Sequence, residues 1–312
     1  MTDLEVLTVG RVGVDLYPQQ SGVPLAEVTS FAKFLGGTAT NVAVAAARLG
    51  RRSAVLTKVG PDGFGDFVRK ALREFGVGAE FVSTAPDLAT PVVFCELNPP
   101  ADPPLLFYRA PIAPDLTLTA DEIPWAAVES VPLLWVTGTG VSAEPGRGTQ
   151  RAVLERRARR GHTVLDLDYR PMFWPDMDTA RAEIGWMLDH VNVVVGNRTE
   201  VQVAVGTADP DEAADRLLAR GVRVAVVKRG AEGVLIATDA ERWTVPPCPV
   251  DVVCGLGAGD GFGGALAHGL LSGWDAHRIA AYANAAGALV ASRLACADAM
   301  PTNAEIEELL CI

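Results

Sequence analysis

Residues 254–264 read CGLGAGDGFGG, six glycines around a single carboxylate, Asp260. Three physical accounts of this stretch compete. As a dinucleotide fingerprint, Gly259, Gly261 and Gly264 fit GxGxxG. That motif, however, closes the first strand of a βαβ unit, with an acid about 20 residues on for the ribose. Here it lies near the C-terminus without that context. As packing, the small residues let a helix approach a sheet closely. As an anion hole with a built-in base, Gly257, Ala258 and Gly259 leave backbone N–H groups bare at the start of a helix, where they and the helix dipole attract anions. Asp260 then falls on the first turn, where the dipole favours its ionised form. It can accept a proton from an alcohol while the amides neutralise charge on a phosphoryl group in transit. This last account explains the lone acid as well as the glycines.

Outward from that stretch, apolar runs alternate with helical patterns. LEVLTVGRVGVDLY (4–17) opens as a strand, NVAVAAARLG (41–50) reads as a helix stopped by Gly50, and SAVLTKVG (53–60) as a strand. GDFVRKALREFG (65–76) is an amphipathic helix closed by Gly76. LLWVTG, TVLDLD, VNVVVGN and RVAVVKRG supply further strands, with helices expected near 148–160, 176–189, 199–205 and 211–220. Short buried strands alternating with helices imply an α/β fold with a parallel sheet covered on both faces. Two segments, about 15–35 and 90–110, have strand chemistry and turns instead of helix. FCELNPPADPPLLFY (94–108) reads as a hairpin with a proline-rich tip. Both segments are expected to form a small β-sheet over a site, within a single domain spanning 1–312. Ordinary edge strands are the alternative.

Bulk properties bound the function. The chain has 312 residues, 49% of them hydrophobic, which is ample for a large core. No apolar run nears the roughly 20 residues of a membrane span, and MTDLEVLTVG lacks the features of a signal peptide. Five cysteines, at 95, 248, 254, 296 and 311, show no CxxC or zinc spacing, so reduced thiols in a cytoplasmic protein are expected. A net charge of −11 argues against nucleic acid as a partner. RRARR (156–160) reads as the solvated face of a helix.

Neither a GxxxxGK[ST] P-loop nor the protein-kinase motif set is present, so a phosphotransferase here is of a third type. GLGAGDGFGGALAHG (255–269) resembles the C-terminal signature of the ribokinase-like, PfkB-type carbohydrate kinases, and GGTATNVAVAAARLG (36–50) their N-terminal signature. VGPDGFGDF (59–67), NRTE (197–200) and VVKRGAEGV (226–234) follow in the family's order and spacing. The resemblance spans essentially the whole chain. It implies a three-layer α/β/α domain with a mostly parallel central sheet and a small β-sheet lid. It also implies Asp260 as catalytic base, with Gly257, Ala258 and Gly259 as the anion hole. Asp15 is then a sugar-hydroxyl ligand, and Gly37 and Asn41 are substrate contacts. ATP and Mg²⁺ are the implied cofactors. Asn197 and Glu200 would organise Mg²⁺ and phosphates largely through water, Lys228, Gly230 and Gly233 would border the nucleotide, and Asn284 would flank the adenine. Taken singly, Asp15 could be a turn-former, Asn41 a helix cap and Glu200 a first-turn acid.

One departure stands out. Many members of that family read Asp-Thr before the GAGD block, as part of a monovalent-cation site. Here Cys254, Gly255 and Leu256 occupy those positions, so a monovalent cation is not expected by that route. Cys254 has no histidine companion, and its apolar neighbours should keep the thiol protonated.

Arg109 and Arg170 are candidates to bind a sugar acid, since a guanidinium fork matches a carboxylate bidentately. Both resemble the carboxylate-binding arginines of 2-keto-3-deoxygluconate kinases. Alternatively Arg109 faces solvent and Arg170 pairs with Asp166 or Asp168. GRVGVDLYPQQ, FLGGTATNVAVAAARLG, DLDYRPMFW and SRLACADAMPT resemble the 5-dehydro-2-deoxygluconokinases of myo-inositol breakdown, which implies phosphorylation of that keto-deoxy sugar acid at O6. 2-Keto-3-deoxygluconate kinase and a non-catalytic sugar-acid or nucleotide sensor are the alternatives. A homodimer through the lid is expected from Val28, Phe31 and Phe34.

Overall fold

The computed structural model describes residues 4–20, 22–97 and 103–311; the proline-rich tip expected at 98–102 lies outside them. The first apolar run splits in two. β1 (Val6–Val9) ends at Gly10, whose φ of +148° and packing against Thr137 turn the chain away, and β2 (Gly13–Pro18) joins a different sheet. β2 pairs antiparallel with β3 (Phe31–Gly36). The chain returns through α1 (Thr38–Arg48) and β4 (Ser53–Val59), then passes α2 (Gly63–Glu74) and the edge strand β5 (Val82–Thr84). It leaves again for the antiparallel pair β6 (Val92–Cys95) and β7 (Leu105–Tyr108).

Strands and helices then alternate: α3 (Trp125–Ser130), β8 (Leu133–Thr137), α4 (Gly146–Arg157), β9 (His162–Asp166), α5 (Met177–Leu188) and β10 (Val193–Asn197). They continue through α6 (Arg198–Val205), α7 (Pro210–Ala219) and β11 (Val224–Lys228). β12 (Val234–Ala237) and β13 (Arg242–Val245) precede α8 (Ala258–Leu271), α9 (Ala276–Ala291) and α10 (Asn303–Leu310).

The large sheet has nine strands in the order β13-β12-β11-β10-β9-β8-β1-β4-β5, parallel except where β12 meets its two neighbours. The four-stranded second sheet runs β3-β2-β6-β7. Successive residues of a strand point to opposite faces, so a strand buried on both sides is apolar throughout. Leu134 and Val136 of β8 join one core, with residues of α4, α5 and α7, whereas Leu133 and Trp135 join a second, with residues of α1, α8 and α9. Among the described residues no helix is long and apolar enough to cross a membrane.

The expectation for RRARR needs correction. α4 stops at Arg157 because Ala158 and Arg159 take positive φ, and the Arg157 side chain is turned inward and fully buried. Its guanidinium donates to the carbonyls of Val128 and Glu129 and to the Thr163 hydroxyl. A buried charge needs such partners, and the free carbonyls of the last turn of α3 supply them.

The packing account of the glycine stretch holds for its second half. A Cβ on Gly261 would come within 2.6 Å of Val290, on Gly263 within 2.9 Å of Trp135, and on Gly264 within 2.3 Å of Ala45. α8 is thereby clamped between α9, the sheet and α1. Gly264→Ala should therefore destabilise the fold by roughly 1–3 kcal/mol through overpacking. Gly63→Ala, with nothing within 4 Å of the added atom, should cost nothing. Urea unfolding midpoints of the two variants check the contrast.

Candidate active site

In a parallel sheet the carboxyl ends of the strands gather on one edge, where the chain turns off and leaves groups free. α8 meets that edge with its N-terminus. Gly257 precedes it at φ +79°, and a Cβ there would strike Cys296. No side chain caps the helix. The N–H groups of Asp260 and Gly261 donate back to the Gly257 carbonyl at 3.0 and 2.8 Å. Those of Ala258 and Gly259 have no protein partner among the described residues. The Lys228 ammonium, at the end of β11, lies 3.1 Å from where a Cβ on Gly259 would stand. Bare amides, a helix dipole and an ammonium thus share one spot.

This turn is the wall between two cavities. Gly257 and Asp260 face the first, together with Asp15, Gly37, Asn41, Arg109 and Arg170. Ala258 and Gly259 face the second, together with Lys228, Gly230, Gly233 and Asn284. The inner face of the small sheet covers the first cavity with Asp15, Val93, Leu105 and Phe107, which alternation places on one side. Asp15 needs its glycine neighbour, because a Cβ on Gly36 would sit 2.2 Å from its carboxyl group. Asn284 donates its amide to the Pro246 carbonyl at 2.6 Å beside the second cavity.

Asn41 Nδ2 donates to Asp260 Oδ2 at 2.7 Å. Burial pushes the Asp260 carboxyl up to about 6 despite that bond, with Asp168 adding and Lys228 and Arg11 opposing. Burial likewise pushes Asp15 up to about 7, Arg11 opposing and Asp260 adding.

The far end of the first cavity is cationic. Arg11 donates through Nη2 to Asp168 Oδ2 at 2.8 Å and to Thr38, and through Nε to Thr139 at 3.2 Å. Arg170 Nε donates to Asp168 Oδ1 at 3.1 Å. Burial alone would raise the Asp168 carboxyl, but the two guanidiniums hold it low. Arg109 lies over the Phe173 ring at 4.1 Å and pairs with Asp115 at 3.8 Å. Burial raises Asp115, against the pull of Arg109 and Arg11.

Asn197 and Glu200 form a reciprocal cap on α6. The Glu200 N–H donates to Asn197 Oδ1 at 2.9 Å and the Asn197 N–H to Glu200 Oε2 at 2.7 Å. Neither lines the two cavities, but Glu200 acts at a distance: its charge, with those of Asp166 and Asp260, raises Lys228 against burial. Burial, then repulsion from Asp168, Glu200 and Asp260, raises Asp166, which Lys228 opposes.

The family model of the pfkB family carbohydrate kinases matches residues 3–303. The chain belongs to that family. A relative from Photobacterium profundum, named 5-dehydro-2-deoxygluconokinase, is 34% identical over 308 residues, covering 96% of this chain and 92% of its own. One of the same name from Geobacillus thermodenitrificans is 30% identical over 314 residues, covering 98% and 93%. The fructokinase of Vibrio cholerae O395, solved with fructose, ADP and calcium, superposes with a TM-score of 0.87 at 27% identity over 98% of this chain and 99% of that one. An E. coli protein described as a ribokinase II, solved with ATP and Mg²⁺, superposes at 0.90 with 25% identity over 99% of both chains. The protein is a carbohydrate kinase with the ribokinase-like fold.

Several residues of the kinase's first cavity have little or no signature in the sequence. Arg11 has a faint one, since a lone charge inside LTVGRVGV is a signal of a buried partner. Asp115 and Cys296 carried no local signal, and neither did Phe173 under the Arg109 guanidinium. The open alternative for Arg170 holds alongside its place in the cavity, since it does pair with Asp168. Cys254 is buried, and burial raises its thiol.

Asn41→Ala removes a bond that favours the Asp260 carboxylate, so Asp260 should titrate above its value of about 6. Carbon-13 NMR of the aspartate carboxyls reads the midpoint, and an unmoved one would contradict the assigned cause.

Proposed function

We propose that this kinase transfers the γ-phosphoryl group of ATP to the 6-hydroxyl of a keto-deoxy sugar acid, 5-dehydro-2-deoxy-D-gluconate, in the cytoplasm. The observation that carries the reading is the position of Asp260, on the single turn shared by the two cavities. Arg109 and Arg170 in the first cavity support an acid over a neutral sugar, and so do the names of the relatives at 34% and 30% identity.

On this reading, Asp15, Gly37 and Asn41 hold the sugar hydroxyls and the two arginines hold the carboxylate. Asp260 takes the O6 proton, for which it must be ionised; a carboxyl lifted to about 6 is a stronger base than a free one yet still ionised near neutrality. The amides of Gly257, Ala258 and Gly259 and the Lys228 ammonium receive the charge developing on the phosphoryl oxygens. Gly230, Gly233 and Asn284 border the nucleotide. Among the described residues no group of three or more acidic, histidine or cysteine side chains could hold a metal ion. That fits Mg²⁺, which usually keeps several waters and binds through one or two carboxylates plus substrate phosphates. Glu200, with Asn197 fixing its backbone, would hold it through water, where it would neutralise phosphate charge. The segments 15–35 and 90–110 act as a lid that excludes water during transfer.

The outer face of the small sheet carries Phe31, Phe94 and Tyr108 in a row of edge-on rings, with Leu106 exposed beside them. Phe34 is turned to the other face, against Tyr17. A second copy of the chain pairing there would bury that row, which light scattering tests.

Asp260→Asn should lower kcat by about 10²–10⁴-fold while ATP still binds; near-normal turnover would exclude the base role. In the wild type kcat/KM should be nearly full above about pH 7, fall to half near pH 6 and decline further below it, since protonation removes the base. Arg109→Ala and Arg170→Ala should each raise KM for the keto acid by about 10–100-fold with KM for ATP little changed. With Cys254, Gly255 and Leu256 in place of a carboxylate ligand, turnover in potassium and in tetramethylammonium buffers should agree.

A further inference from the structure

The cationic end of the first cavity contains a donor and an acceptor that the protein leaves unmatched. Arg109 Nη2 and Asp115 Oδ2 are buried, and neither has a hydrogen-bond partner among the described residues. The side chains face each other at 3.8 Å, too far for a hydrogen bond, and both line the cavity. Arg109 is held in place by the Phe173 ring beneath it. Asp115 is held by the short turn Pro114–Thr117, and its side chain is only 2% exposed. Leaving buried polar groups unmatched costs stability, so a pair like this calls for something that completes it.

We propose that Asp115 is a specificity-determining residue. With Arg109 on the substrate carboxylate, Asp115 accepts a hydrogen bond from a hydroxyl on the carbon β to that carboxylate, and so selects 3-hydroxy acids against 2-keto acids. This rests on the sugar-acid reading above. The two keto-deoxy acids differ at this point. In 5-dehydro-2-deoxygluconate the first oxygen beyond the carboxylate is the 3-hydroxyl, which can donate. In 2-keto-3-deoxygluconate the β carbon is a methylene and the first oxygen is a carbonyl on the α carbon, which can only accept, so neither offers Asp115 a donor. A site whose buried group awaits a donor rejects a substrate lacking one more strongly than a shape difference alone allows. Asp115 also borders a small internal cavity beside Thr149 and Gln150. A group serving only that cavity would affect folding without affecting choice of substrate.

The test measures kcat/KM of the full-length wild type and of Asp115→Asn on three acids: 5-dehydro-2-deoxygluconate, its 3-deoxy analogue and 2-keto-3-deoxygluconate. The wild type should favour the first over each of the others by at least about tenfold. In Asp115→Asn, whose amide offers a donor to a carbonyl, the gap to the 2-keto acid should close to within about threefold. A wild type indifferent to loss of the 3-hydroxyl overturns the proposal, and so does a variant that keeps the full gap. Should Asp115→Asn fail to fold, the wild-type comparison of the 3-hydroxy and 3-deoxy acids decides alone. Phosphorylation of a neutral sugar with none of the three acids turned over would instead sink the sugar-acid reading, and this inference with it.

Discussion

Everything at the site depends on how α8 is held. A helix N-terminus offers bare amides to whatever stands in front of it, but those amides are useful only if the backbone can come close and stay there. Gly261, Gly263 and Gly264 let α8 lie against Val290, Trp135 and Ala45 with no room for another methyl group. The first residues of the same helix then project past the packing and become the partition between two cavities. One run of glycines therefore does two jobs: the half buried against neighbouring helices fixes position, and the half at the rim leaves groups open.

The electrostatics follow from that placement. The whole chain is acidic, at −11, yet the cavity ends in three guanidiniums, Arg11, Arg109 and Arg170, set against two buried carboxylates, Asp115 and Asp168. Burial pushes up the carboxyls of Asp15, Asp115, Asp166, Asp168 and Asp260, and local partners decide how far each follows. Asp168 receives Arg11 and Arg170 and is held low, whereas Asp15, Asp166 and Asp260, which form no ion pair among the described residues, rise. Carboxyl groups of one type thus acquire different proton affinities in and around one pocket.

Asn197 and Glu200 illustrate how one motif satisfies two demands. Their hydrogen bonds close the start of α6 reciprocally, which is sufficient reason for an NxxE spacing in any helix. The cap also fixes a carboxylate at the edge where β10 and β11 end, within the field of Lys228. The local role could be derived from spacing alone, whereas the electrostatic role needed the strand order.

The sequence by itself determined the alternation of buried strands and helices, and the glycine-rich helix start with its single acid. Periodicity and helix signals are local, so they survive in a linear reading. LEVLTVGRVGVDLY looked like one strand because apolar pattern cannot tell one sheet from another; only the turn at Gly10, packed against Thr137, separates them. Arg157 looked solvated because its charge was visible and the carbonyls waiting for it, at residues 128 and 129, were not. Arg11, Asp115 and Asp168 come from three distant segments, and nothing in any one of them foretells the others. Their meeting was decided by tertiary structure, because long-range charge pairing is fixed by strand order and burial, neither of which a local pattern encodes.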